Sequence, residues 1–312
     1  MTVAQVAALE AELGSGRVLR GAPLGRLTTF RIGGAAELFF EARGAGELER
    51  AVRAGRACDV PVTLLGGGSN VLVADGGIPG LVVRAHGGAL ERVADGVLRA
   101  DAGVSINGLV RHAVQSGLAG LAAWAGTPGT VGGAVFGNAH FEGRWIAHDL
   151  VSVRVLGNDG GVRSIPTAEM EFAYDASRLQ RTGEQLLSAD FCVRPGDAVV
   201  ERERARQSLA FRKRTQPLAK PSAGCIFRNP DPQDPALPPG MPASAGALID
   251  RAGLKGSRIG GASVSPVHAN FFVNDGGALA ADVASLIERA RDEVERRFGV
   301  RLREEIVRLG AF

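Results

Sequence analysis

The sequence predicts an α+β protein of at least two domains, and three observations carry that prediction. Short strand-like runs and amphipathic helices follow one another irregularly, without the strand–helix–strand alternation that a doubly wound parallel sheet requires. The 312 residues exceed what one core commonly organises, at about 150 residues per domain. The 44 glycines, set against one Tyr and two Trp, gather in short loops with no G-X-Y period, so they serve loop conformation and close backbone approach.

The opening residues, MTVAQVAALEAELGSG, repeat apolar positions at helical spacing. They carry Glu10 and Glu12 where an export signal would need a basic and then an apolar stretch, which predicts a first helix and a cytoplasmic protein. Residues 27–42 alternate around Gly33 and Gly34, a pattern of strand, tight turn and strand. A helix fits 45–57. Residues 61–65 read as a short apolar strand running into Gly66, Gly67, Gly68, Ser69 and Asn70, with a second apolar run at 71–74. Further strands are expected at 81–84, 98–102, 151–155 and 185–193, and a helix over 106–116. Residues 117–137 hold no charge, but their seven glycines and Pro128 make a weak helix with little transfer energy. That stretch predicts buried loop backbone wrapped around something large and flat, and no membrane span. The charged run over 198–214 reads as a bridging helix, and the six prolines of 229–242 as an extended surface loop. Helices are expected at 245–252 and 282–298, the latter with Val283, Leu286, Ile287, Ala290, Val294 and Phe298 on one core-facing stripe.

A net charge of +3, from 36 Lys plus Arg against 33 Asp plus Glu, is too small for a general polyanion surface, so nucleic acid is not an expected partner. Cys58, Cys192 and Cys225 are odd in number and far apart, and read as reduced thiols with no metal spacing. His86, His112, His140 and His148 form neither a zinc set nor a Ser/His/Asp order, and His268 reads as packed and hydrogen-bonded. The GGGSN loop offers successive N–H groups, a hydroxyl and an amide, which suits a diphosphate. It is neither a G-x-G-x-x-G fingerprint nor a P-loop. A second loop with the same chemistry holds Gly126, Gly129, Thr130, Gly132 and Gly133, and two such loops suggest one large diphosphate cofactor held from two sides.

Five blocks then carry a resemblance: TFRIGG (29–34), LLGGGSNVLVAD (64–75), GTPGTVGGAVFGNA (126–139), PSAGCIFRNP (221–230) and AGALIDRAGLKGSRIGGASVSPVHANFFVN (245–274). In this order, over nearly the whole chain, the sequence resembles the UDP-N-acetylenolpyruvoylglucosamine reductases, in the shorter second type that lacks a tyrosine-bearing insertion. The resemblance implies a vanillyl-alcohol-oxidase-like flavin-binding fold of two subdomains, 1–80 and 81–205, followed by an α+β substrate-binding domain, 206–312. It implies noncovalent FAD, with Arg31 at the cofactor and the pyrophosphate on Gly66, Gly67, Gly68, Ser69, Asn70 and on the loop of Gly126, Gly129, Thr130, Gly132 and Gly133. NADPH would be the hydride donor, and the small-molecule substrate UDP-N-acetylglucosamine enolpyruvate, reduced in a monomeric enzyme to the UDP-N-acetylmuramate of peptidoglycan synthesis.

By the same resemblance Cys225 takes the place of the commoner serine proton donor; a thiol with a pKa of about 8.5 stays protonated at neutral pH and is the stronger acid. Glu305, in LREEIVRLG, matches the family's glutamate, with Glu304 as the alternative one residue away. Arg212, Arg214, Arg228 and Asn229 surround the donor loop as candidates for the substrate diphosphate, and Thr215 stands where many relatives carry lysine. Most relatives have a Tyr-Arg dipeptide that polarises the substrate carboxylate, whereas this chain has Tyr174 followed by Asp175. If residues 175–178 form a helical turn, Arg178 supplies the missing cation with Asp175 bracing it; Arg181, or no residue, is the alternative. Two other functions fit the same loops: a different FAD oxidoreductase on the same scaffold, and a non-catalytic flavin-binding relative, for which Asp175 is the ground.

Overall fold

The computed structural model describes residues 1–312. The chain divides into two compact units: Met1–Gly21, Glu37–Gly67 and Pro79–Phe211 form the first, and Ala22–Ala36, Gly68–Ile78 and Arg212–Phe312 the second. The division expected from sequence, 1–80, 81–205 and 206–312, differs in that two early segments join the C-terminal part. Backbone pairing explains this. Strand Val307–Leu309 runs parallel to Val71–Val73, and Asp75 accepts the N–H groups of Ala280 and Ala281 at 2.8 and 3.0 Å.

In the first unit, α1 (Val3–Leu13) starts at a reciprocal Thr2/Gln5 capping box and buries Val6, Leu9 and Leu13; α2 (Ala45–Ala57) buries Leu48, Ala51 and Val52 in the same core. A four-stranded sheet has the order Leu19–Pro23, Ala35–Ala42, Ile78–Ala85, Val62–Leu65, and its last two strands are parallel. A five-stranded antiparallel sheet has the order Val162–Pro166, Leu150–Leu156, Gln185–Cys192, Val97–Asp101, Leu90–Ala94. Its central strand, Gln185–Cys192, is buried on both faces from Leu186 to Phe191, and of the two polar side chains in that run Asp190 is paired with Arg99 at 2.7 Å. The two edge strands were not expected from the sequence; they are mostly exposed and lack apolar alternation. Helix α3 (Ile106–Gln115) is capped by Ser105, α4 (Val131–Phe136) by Thr130, and α5 (Leu179–Thr182) and α6 (Ala198–Thr215) follow. The uncharged stretch lies in this core through Leu118, Leu121, Trp124, Val131 and Val135, with Trp124 Nε1 donating to Asp149 at 2.7 Å. No helix is long and apolar enough to cross a membrane.

The second unit packs α7 (Ala245–Arg251) and α8 (Ala280–Phe298) with the three-stranded sheet Arg258–Ile259, Ala262–Val264, Phe272–Asn274 around Phe30, Leu72, Phe227 and Phe272. The α8 stripe from Val283 to Val294 is fully buried as its spacing predicts, and Phe298 packs at its edge. One expectation is corrected. Residues 27–42 form no hairpin, because the strand begins at Ala35 and the preceding loop spends its backbone donors elsewhere: Thr29 N–H goes to Gly68 O at 2.9 Å and Gly34 N–H to Ala74 O at 3.0 Å.

Candidate active site

Strand Val62–Leu65 ends in the core, and the chain then bends through Gly66 and Gly67 against the loop before α4. A Cβ on Gly67 would lie 2.6 Å from Gly129 Cα, and one on Gly66 2.5 Å from Thr130 Oγ1. Glycine is therefore demanded here by loop-on-loop contact; the sequence alone had suggested only the approach of a diphosphate. The N–H groups of Val131 and Gly132 are bound to Val104 O and Ala102 O, both at 2.8 Å, and Gly133 N–H faces Thr130 Oγ1 at 3.4 Å. Those of Gly66, Gly67, Gly129 and Thr130 make no backbone bond. Four such donors on touching loops fit an anionic diphosphate. Gly126 serves the loop itself, since its N–H donates to Asn107 Oδ1 at 2.7 Å and so fixes the bend.

The second unit holds Gly68, Ser69 and Asn70 together with the candidate donor and carboxylate. Gly68 O accepts from Thr29 N–H, and Thr29 Oγ1 donates to Ser222 O at 2.7 Å in the PSAGC loop. Asn70 Nδ2 donates to Glu305 O at 3.2 Å, and Asn70 O accepts Val307 N–H at 2.9 Å. Residues 225–228 lie between two other segments. On one side Cys225 pairs with Phe271 and Ile226 N–H donates to Asn270 O at 2.8 Å; on the other Phe227 pairs with Glu304, and Glu305 N–H donates to Ile226 O at 2.8 Å. The buried Asn270 amide completes the join, accepting Phe227 N–H at 2.9 Å and donating to Phe227 O at 2.7 Å. Cys225 and Glu305, both half-buried, thus sit on hydrogen-bonded neighbouring backbones.

Glu304 is engaged by Arg291 at 2.6 Å and Arg308 at 2.8 Å. Arg212 is buried, Arg228 half-buried, and Arg214 and Asn229 exposed; Asn229 Oδ1 accepts Ala245 N–H at 3.0 Å at the start of α7. Arg31 is exposed and left-handed, with φ +56°. Burial pushes the His268 pKa down, and its Nδ1 accepts Asn270 N–H at 3.3 Å, so this histidine is a packed group that orients Asn270. Sequence reasoning missed Thr29 and Asn270 as positioning residues, although both lie within its motif blocks.

The Arg178 expectation needs correction. Residues 173–176 make a tight turn with Ala173 paired to Ala176 and Asp175 left-handed at φ +50°, so no helical turn places Arg178 beside Asp175. Arg178 Nε instead donates to Glu184 Oε2 at 2.8 Å, while Asp175 Oδ1 lies 3.4 Å from His140 Nδ1. Burial pushes the Glu184 carboxyl up, but hydrogen bonds from Arg178, Thr182 and Arg163 outweigh it and hold the pKa at about 2. Arg163 also meets Asp159 at 3.4 Å, so the cluster of two arginines and two carboxylates is charge-balanced. Arg181 contacts Glu171.

Comparison with known proteins agrees with this architecture. Residues 36–165 match the FAD binding domain family, and residues 216–309 match the family described as UDP-N-acetylenolpyruvoylglucosamine reductase, C-terminal domain. A reductase of that name from Synechococcus sp. (strain RCC307) is 41% identical over 295 residues, covering 93% of each chain. One from Anaeromyxobacter sp. (strain Fw109-5) is 43% identical over 301 residues, 95% of this chain and 90% of the relative. A crystal structure of UDP-N-acetylenolpyruvylglucosamine reductase from Thermus caldophilus superposes with a TM-score of 0.76 at 34% identity, over 94% of this chain and 99% of that one. With glycine loops on a flavin-type domain, a thiol and a carboxylate on bonded segments, and relatives matched from end to end, the chain belongs to the UDP-N-acetylenolpyruvoylglucosamine reductase family.

Proposed function

We propose that this protein is an FAD-dependent reductase that uses NADPH to convert UDP-N-acetylglucosamine enolpyruvate to UDP-N-acetylmuramate in peptidoglycan precursor synthesis. The observation that carries this is the backbone union of the Cys225 and Glu305 segments inside the region matching the reductase C-terminal domain. FAD, when bound, would supply the hydride chemistry between NADPH and the enolpyruvyl double bond. The chain's part is to bind, to orient and to give a proton. The N–H groups of Gly66, Gly67, Gly129 and Thr130 are the donors suited to the FAD diphosphate, with Gly68, Ser69, Asn70, Gly132, Gly133 and Arg31 contributing from their flanks. Cys225 gives its thiol proton to the carbon that bears the carboxylate: the C–H bond forms as the S–H bond breaks, and the thiolate regains a proton from solvent before the next turnover. Glu305 stabilises the enol developing beside it, while Glu304 is held by Arg291 and Arg308. Arg212, Arg214, Arg228 and Asn229 supply forked and amide donors for the substrate diphosphate. On this reading a monomeric enzyme works in the cytoplasm.

Anaerobic stopped-flow absorbance tests it. The purified protein should carry FAD that NADPH bleaches and the enolpyruvyl sugar nucleotide restores. A protein that takes up no FAD refutes the flavoenzyme, and one reduced by NADPH but never reoxidised by this substrate is the non-catalytic relative.

A further inference from the structure

Cys225 rides on a two-residue rise. Ala223 and Ile226 are buried in the second core, and between them stand only Gly224, left-handed at φ +81° with open space where a Cβ would lie, and the half-buried Cys225. A thiol on so short a segment goes where the two feet of the rise put it. The downstream foot is held from both sides, because Ile226 N–H donates to Asn270 O and Ile226 O accepts Glu305 N–H, each at 2.8 Å. The upstream foot is residues 220–222. Its carbonyls are gripped by two other segments of the second unit: Pro221 O accepts Asn274 N–H at 2.9 Å, and Ser222 O accepts Thr29 Oγ1 at 2.7 Å.

The strand end that supplies Asn274 carries a further grip. Asp275 follows it, with its N–H donating to Gly261 O at 2.9 Å and its side chain more than nine-tenths buried. Asp275 Oδ2 accepts Arg258 Nη2 at 2.5 Å and Ser263 Oγ at 2.7 Å, and those two residues stand opposite each other in the register of strands Arg258–Ile259 and Ala262–Val264. One carboxylate oxygen is thus fixed to the sheet. The other, Oδ1, accepts Lys220 Nζ at 2.5 Å, from the residue immediately before Pro221. An ion pair between two mobile exposed side chains contributes little, because both must be ordered to form it. Here the acceptor is already anchored by main chain, arginine and serine, so only the half-exposed lysine gives up freedom. Lys220 and then Ser263 hold the Asp275 carboxyl below the usual carboxylate range against the effect of burial, which keeps it ionised at neutral pH.

We propose that Asp275 is a positioning residue for the Cys225 thiol: by holding Lys220 at the end of the sheet it fixes the upstream foot of the segment that presents the proton donor. The role is exercised through Lys220, and Arg258 and Ser263 keep the carboxylate in place for it. That the placed thiol gives a proton rests on the reductase reading; the placement itself has a readout of its own.

The test uses the FAD-loaded protein, mass spectrometry of iodoacetamide alkylation at each cysteine, and anaerobic stopped-flow. Asp275→Asn keeps the shape and removes the charge, and Lys220→Met keeps the stem and removes the ammonium. In both variants Cys225 should be alkylated several times faster than in the parent, while Cys58 and Cys192, which belong to the first unit, react at the parent rate. FAD content and flavin reduction by NADPH should be unchanged, and flavin reoxidation by UDP-N-acetylglucosamine enolpyruvate should slow roughly tenfold. Lys220→Arg should behave as the parent. The double variant should be no worse than Asp275→Asn alone, since both changes remove one interaction. A lower melting temperature with Cys225 alkylation and reoxidation unaltered would make this an ordinary surface ion pair and overturn the proposal, as would faster alkylation of all three cysteines together or additive effects in the double variant. Failure of the reductase reading looks different: the wild type itself would not be reoxidised by the enolpyruvyl substrate, and the Cys225 alkylation rates would still decide whether Asp275 places the thiol.

Discussion

Replacing Gly67 by alanine drives one methyl group into backbone. The new Cβ would stand 2.6 Å from Gly129 Cα and 3.1 Å from the Gly129 carbonyl carbon. Non-bonded carbons settle at about 3.5–4.0 Å, so the loop before α4 must retreat by roughly 1 Å. Gly67 is not left-handed, which leaves the methyl contact as the whole perturbation. Overpacking of this size costs about 1–3 kcal/mol. For a body of this size, about 2–4 °C per kcal/mol predicts an apoprotein melting several degrees lower. Gly133 is the control. It lies inside α4, and a Cβ there would meet nothing nearer than 3.8 Å, while alanine gains about 0.5–1 kcal/mol over glycine in a helix. Gly133→Ala should therefore melt at or slightly above the parent as apoprotein, yet bind FAD roughly tenfold more weakly if the diphosphate lies on this backbone. Differential scanning fluorimetry of the deflavinated proteins gives the first quantity and recovery of flavin fluorescence quenching the second. An unchanged melting point for Gly67→Ala would refute the loop contact, and unchanged FAD affinity for Gly133→Ala would remove Gly133 from the cofactor site.

Cys225→Ala should accept hydride from NADPH at a near-normal rate and slow flavin reoxidation by roughly 10²–10⁴, whereas Cys225→Ser keeps substantial activity; equal damage to both half-reactions would make the thiol structural. Glu305→Gln should spare flavin reduction and impair reoxidation, while Glu304→Gln should cost some stability by leaving Glu288 as the one carboxylate shared by Arg291 and Arg308, and leave the rate per folded enzyme near normal. The reverse outcome would shift the assignment by one residue. Glu184 predicts an acid limb: its folded pKa of about 2 lies below the ordinary 4.5, so its contribution is complete above about pH 4.5 and is lost as pH falls toward 2. Denaturant melts of Glu184→Gln should show a shallower decline over that window, and an identical decline would mean the cluster contributes nothing.

The elements that bury an apolar stripe were legible in the sequence because periodicity reports burial. Helix α8 and the central strand Gln185–Cys192 stand where their patterns put them. The edge strands Leu90–Ala94 and Val162–Pro166 were not legible, since a strand with one neighbour and mostly wet side chains, Ile165 excepted, needs no alternation. Residues 27–34 alternate for a different reason: Phe30 and Ile32 enter the second core from a loop. At the site, residue types and motif order gave the candidates, but partners were hidden. Helical spacing would join Asp175 to Arg178; one positive φ sends Asp175 to His140 and leaves Arg178 to Glu184, a carboxylate six residues away that no periodic face connects to it.

What holds the second unit's candidate groups together is also what a pattern cannot show, namely single polar atoms bridging motifs far apart in the chain. Thr29 Oγ1 reaches Ser222 O across 193 residues while its N–H holds Gly68 O, and Asn70 Nδ2 reaches Glu305 O across 235 residues. The same backbone run that closes the GGGSN loop thereby sets the PSAGC loop and the strand that carries Glu305. The coupling is short and stiff, because each bridge is a side chain with at most two rotatable bonds ending on main chain, and Asn270 locks Phe227 from the opposite side with both ends of its amide. Hydrogen bonds thus link Gly68 through Thr29 to Ser222, three residues before Cys225, and Asn70 to Glu305. Positioning of residues 68–70 is thereby joined to that of the segments carrying Cys225 and Glu305, which gives a physical reason for Thr29 and Asn70 to be polar although Phe30 and Leu72, one and two residues further on, belong to the core.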